Sequence, residues 1–170
     1  MEEVGVPGGS GSVPLFNSTL ETGTRAVVVL NAAYTRALDL ARLTWFDHLV
    51  VHTADAGGPP SLHPSLPERS GELLVRRRLV EDSLTLMRRA HLVEALADES
   101  GVSFRAGDAA PAFVNLMRSE YAQVLKECAT WLVAEFADLD TADMATRIER
   151  QVDRWDLEFR SDGQQPGGAS

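Results

Sequence analysis

The stretch LARLTWFDHLVVH, residues 40–52, leaves this chain few ways to fold. It opens at an Asp39 N-cap and places Leu40, Leu43, Trp45, Phe46, Leu49, Val50 and Val51 around most sides of a helix. A helix that is apolar nearly all round is a buried, central one, so other elements have to surround it.

The rest of the sequence supplies those elements. Ser18-Thr19-Leu20-Glu21 has the form of a capping box and opens a helix reaching about Tyr34. Its expected face is Leu20, Val27, Leu30 and Tyr34, with Gly23 as a weak point. A third helix, 72–90, carries two apolar rows: Leu73, Val80, Leu84 and Met87, and beside them Val75, Leu79, Leu86 and Ala90. Two short strands, 92–97 and 102–106, flank the turn Asp98-Glu99-Ser100-Gly101. Further helices follow caps at Asp108, Ser119 and Asp140; the last shows Met144, Ile148, Val152, Trp155 and Phe159 at helical steps, a stripe expected to close the core.

Helix, short hairpin, helix is the order of a winged helix-turn-helix. The expected fold is therefore mainly α with a small β-hairpin: a winged helix-turn-helix-like core plus C-terminal helices. One domain, 15–159, is expected between Gly-, Ser-, Pro- and Gln-rich flexible tails at 1–14 and 160–170.

Residues 53–73, TADAGGPPSLHPSLPERSGEL, are long for a connection inside a compact domain. The prolines stiffen this loop and the glycines permit sharp turns, so it reads as one held shape. Leu62 and Leu66 can pin it to the body. That leaves Asp55, Gly57, Gly58, Pro59, Pro60, His63, Glu68 and Arg69 as a candidate partner-binding surface.

Enzymatic readings find little support. The sequence has no nucleophile elbow, phosphate loop or dinucleotide fingerprint, and its one cysteine, Cys128, sits in the apolar stripe 121–136, where a thiol stays protonated. His48 and His52 are spaced for zinc and His63 could add a ligand, but the helix lacks the His-Glu-x-x-His arrangement. Sharing their row with Trp45 and Leu49, they read as half-buried structural histidines. No catalytic, metal or cofactor site is expected.

Arg76, Arg77, Arg78, Arg88 and Arg89 give the third helix five arginines against three acids. In a winged helix this is where DNA is met. Yet the net charge is −9 and the hairpin tip carries Asp98 and Glu99, both of which repel phosphate. These arginines read first as a solvated or protein-contacting face, with DNA met weakly or indirectly. A small winged-helix DNA-binding regulator is the alternative. A single cysteine and the absence of any run of roughly 18–20 apolar residues point to the cytoplasm and away from membranes.

Three segments together, LFNSTLETGTRAVVVL, HTADAGGPPSLHPSLPERSGELLVRRRLVEDSLTLMRRAHLV and RWDLEF, resemble the middle component, second type, of bacterial ABC-three-component systems. The resemblance spans 15–159 and is most specific over 52–78. It implies a small, winged-helix-like, non-enzymatic adaptor. The implied partners are an SMC-like ABC ATPase and a separate effector subunit of the same operon, in defence against phage and plasmids. Accessory subunits of this kind often pair with themselves, which adds a homodimer to the expected partners. No catalytic residue transfers with the resemblance.

Overall fold

The computed structural model describes residues 18–64 and 72–150. Both tails, Leu66, Glu68, Arg69, and the Val152, Trp155 and Phe159 end of the last stripe lie outside the described residues.

The elements run α1 (Thr19–Ala32), β1 (Leu38–Asp39), α2 (Leu40–Leu49), a 3-10 turn (Thr53–Ala56), α3 (Glu72–Arg89), β2 (Val93–Asp98), β3 (Gly101–Ala106), α4 (Ala110–Leu116) and α5 (Glu120–Phe136). A final helix, α6, covers 141–150 of the described residues. The protein is mainly helical with one small antiparallel sheet in the order β1-β3-β2. β2 and β3 pair without slippage from Val93↔Ala106 to Asp98↔Gly101, and β1 adds Leu38↔Phe104 and Asp39↔Ser103 on the other side of β3.

α2 is central, as its composition demands. Leu43, Phe46, Leu49, Val50 and Val51 are all buried. Each large apolar side chain removed from water contributes about 1.5–3 kcal/mol, so this one helix gathers much of the core. α1, packed against α3, α5 and α2, supplies Val27, Val28, Val29 and Leu30. α3 contributes Val80, Leu84 and Met87, and α5 contributes Leu125, Cys128, Leu132 and Phe136. Met144 and Ile148 of α6 are buried too, so the described part of the last stripe closes the core.

Local caps hold where a side chain meets its own backbone. Ser18 Oγ accepts from Glu21 N at 3.1 Å, Asp39 Oδ1 from Arg42 N at 2.7 Å, Ser119 Oγ from Ala122 N at 3.1 Å and Asp140 Oδ1 from Asp143 N at 2.7 Å. The Arg42 guanidinium also donates to the carbonyls of Ala137 and Leu139, satisfying the chain end of α5 with a cation.

Several expectations need correction. α1 stops at Ala32, and both Leu20 and Tyr34 are exposed, so its buried face is centred on Val27 and Leu30. Gly23 also has a packing role: Met87 of α3 lies so close that a Cβ there would collide with its side chain. α2 ends at Leu49, and His52 lies beyond it, ahead of the 3-10 turn. Of the second apolar row on α3, Leu79 is half-buried and Leu86 and Ala90 are exposed, because the covered stripe among the described residues runs through Val80, Ser83, Leu84 and Met87; the Leu73 and Val75 side chains lie outside the described residues. Asp108 does not cap α4, which starts after Ala109 with no side-chain cap. The hairpin belongs to a three-stranded sheet, its third strand being the two residues of β1.

Candidate functional site

The described half of the long segment is stapled to the body. After α2, His52 leads into the 3-10 turn, which ends at Gly57 with φ 80°. That left-handed conformation is one a side chain resists, which accounts for the first glycine. The second has another cause. A Cβ on Gly58 would lie 2.5 Å from the indole ring of Trp131 on α5, so only glycine lets the backbone pass. Thr53 Oγ1 donates to Pro59 O at 2.8 Å, Ala54 N to Ser61 Oγ at 3.1 Å, and His63 N to Val51 O at 3.0 Å. His63 Nε2 shares a 2.8 Å hydrogen bond with the Tyr121 hydroxyl, and the two rings stack with centroids 6.0 Å apart. Gly57, Pro60 and Pro64 stay exposed above these anchors.

Beneath the loop lies a polar layer. Asp47 of α2 accepts from Arg25 Nε of α1 at 2.7 Å on one oxygen and from Arg76 Nη1 of α3 at 2.7 Å on the other. All three side chains are buried, and Arg25 Nη2 also donates to Thr22 Oγ1 at 3.0 Å. One carboxylate therefore ties three helices together at the base of the loop. Beside it, His48 and His52 pack ring on ring at 4.5 Å, and His63 meets His52 edge-on at 6.1 Å. His48 Nε2 stands 3.7 Å from Asp55 Oδ2. Among the described residues, no group of three or more His, Cys, Asp or Glu side chains is arranged to hold a metal ion.

With this geometry in view, the comparison with known families is specific. The family described as ABC-three component (ABC-3C) system Middle Component 2 matches residues 15–158. The chain belongs to that family. No curated protein and no solved structure matches it. The match covers every described element of this Middle Component 2 chain.

The residues singled out in the sequence divide into inward and outward groups. Asp55 is buried and faces His48, while His63 is engaged by Tyr121. Gly57 and Gly58 shape the loop; Pro60 is exposed and Pro59 half-buried. Glu68 and Arg69 lie outside the described residues. Arg76 is a correction: it does not join the other arginines on the surface, because the buried Asp47 carboxylate draws it inward. Arg77, Arg78, Arg88 and Arg89 are exposed. Four residues of the site were not expected in these roles: Arg25, Asp47, Tyr121 and Trp131. The signal for the first two was available, since a lone charge inside an apolar helix has to be paired when it is buried.

Electrostatics agree with this division. Burial, reinforced by His48, pushes the His52 imidazole down from its ordinary 6.5 to about 4, and its Nδ1 is buried without a hydrogen-bond partner among the described residues. Burial, followed by the nearby Arg25, also holds His63 below its usual value. Burial raises the Cys128 thiol, whose Sγ is 3.8 Å from Thr53 Oγ1, so the sulfur stays protonated as the sequence leads one to expect.

A depressed histidine value has a definite sign. Below about 6.5 the unfolded chain takes up a proton that folded His52 refuses until about 4, so stability falls across that window as pH drops. From pH 7 to pH 5 this group alone is expected to remove about 2 kcal/mol. Urea unfolding at the two pH values measures it, and His52→Leu should shrink the difference. An unchanged difference in the variant would place the acid sensitivity elsewhere.

Proposed function

We propose that this chain is a non-enzymatic adaptor that links an SMC-like ABC ATPase to an effector subunit in a defence assembly directed against phage and plasmids. The observation that carries the reading is the stapled loop. In its described half, hydrogen bonds to Ser61 Oγ and Val51 O hold the backbone, Gly58 passes close to Trp131, Tyr121 holds the His63 side chain, and Gly57, Pro60 and Pro64 stay exposed. A surface fixed before binding loses little conformational freedom on docking. Membership of a middle-component family supports partners within the same system.

A winged-helix scaffold is part of the proposal. The order α1-β1-α2-α3-β2-β3, with the sheet arranged β1-β3-β2, supports it: a short strand between the first two helices pairs with the second strand of the hairpin. The docking face then comprises Gly57, Pro60 and Pro64 of the loop with the exposed Tyr121 and Val124 of α5, one turn apart. No helix among the described residues is long and apolar enough to cross a membrane.

The test is a pull-down of the tagged chain from cells expressing its whole operon. Recovery of the ABC ATPase is expected, falling about tenfold or more for a Pro60→Glu/Val124→Glu double variant whose thermal melting is unchanged. Recovery of the chain alone, with salt-sensitive duplex binding lost on Arg77→Ala/Arg78→Ala, would replace the adaptor with the DNA-binding regulator.

A further inference from the structure

Among the described residues, β2 is an edge strand. In the order β1-β3-β2 its partner β3 occupies one side only. Leu92 O accepts from Gly107 N at 2.9 Å, and the ladder alternates from there, so the N–H and C=O groups of Val93, Ala95 and Ala97 point to the open edge. Such a row is a template for another strand unless the fold blunts it. Beside it runs an open groove of about 550 Å³, bounded by Thr85, Arg88 and Arg89 of α3 and by Val93, Glu94 and Ala95 of β2.

The groove is positively charged. Arg88 and Arg89 are exposed, and among the described residues neither side chain takes part in an ion pair or hydrogen bond. Among its described lining residues the one acid, Glu94, is already engaged by Arg105 Nε at 2.8 Å across the hairpin. We infer that this groove takes an extended acidic segment of a partner protein, which adds to β2 as a further strand while its carboxylates meet Arg88 and Arg89. The inference rests on the adaptor reading and names a second contact surface of the same subunit.

Peptide is favoured over nucleic acid by the chemistry of the strand edge. Main-chain donors and acceptors at a strand edge match a peptide backbone, whereas a phosphodiester offers acceptors only.

The experiment is hydrogen exchange on the free chain and on the complex purified from operon-expressing cells, repeated with two variants. Ala95→Pro removes one outward N–H at the edge and leaves the β3 ladder intact; Arg88→Glu/Arg89→Glu reverses the groove's charge. The expected result is at least tenfold slower exchange at Val93, Ala95 and Ala97 in the complex, with complex recovery reduced at least about tenfold by either variant at unchanged melting temperature. A complex that forms with these amides unprotected and both variants fully active overturns the inference and leaves the adaptor reading standing. Absence of any complex overturns both. Protection already present in the free chain and lost on deleting 1–14 or 160–170 would put the chain's own tail in the groove. Binding of a labelled DNA duplex abolished by Arg88→Glu/Arg89→Glu would put nucleic acid there; either outcome overturns the partner segment.

Discussion

Asp47→Ala is expected to destabilise the protein by about 3–5 kcal/mol, because it leaves the buried Arg25 and Arg76 guanidinium groups without the carboxylate between them. The penalty comes from the stranded charges rather than from the worth of the ion pairs themselves, since forming a buried pair already costs desolvation. Asp47→Asn should fall between the two, as it keeps acceptor capacity for one arginine and loses the charge. In a chain of this size the alanine variant should melt roughly 6–20 °C lower. The effect should also reach the loop: with α1, α2 and α3 no longer joined at Asp47, His52 and His63 lose the layer on which they rest. Urea unfolding gives the number. A loss below about 1 kcal/mol would mean that Asp47 does not hold the three helices together.

Gly58→Val should be the next most damaging change. Its Cβ would fall 2.5 Å from the Trp131 ring, inside any tolerable contact, so the loop or the indole must move. Overpacking of this kind costs about 1–3 kcal/mol. The distinguishing measurement is a double-mutant cycle with Trp131→Leu, which clears the space. If the clash is the cause, the double variant should recover at least about 1 kcal/mol relative to the sum of the single changes. Strict additivity would show that the approach of Trp131 is not what requires glycine at 58. Because the loop carries the proposed docking face, Gly58→Val should also weaken ATPase recovery, while an inward core change such as Ile148→Val should not.

The sequence and the structure part company in instructive places. The caps at Ser18, Asp39, Ser119 and Asp140 were legible because each is a bond between a side chain and the backbone three residues on. The central burial of α2 was legible because an apolar surface on every side admits only one environment. β1 was not, since two residues have no periodicity; only their pairing with Phe104 and Ser103 makes them a strand. Leu20 and Tyr34 fit a helical stripe but sit at the ends of α1, beyond the reach of the covering helices.

The site followed the same rule. The glycines and prolines located the loop, and they also explain its shape. Which way each polar residue faces is decided by partners on other elements: His48 for Asp55, Tyr121 for His63, and Asp47 for Arg76. Arg76, Arg77 and Arg78 are indistinguishable as neighbours in a triplet. Helical rotation puts the first against a buried carboxylate and the next two in water.

The most direct measurement of the central claim asks whether this subunit bridges the other two. The ABC ATPase and the effector from the same operon would be co-expressed with and without it, and the native mass of the material recovered on the ATPase would be determined. An adaptor predicts that the effector co-purifies with the ATPase only when this chain is present, and that the Pro60→Glu/Val124→Glu variant abolishes the link without unfolding. Equal association of ATPase and effector in its absence would contradict the account.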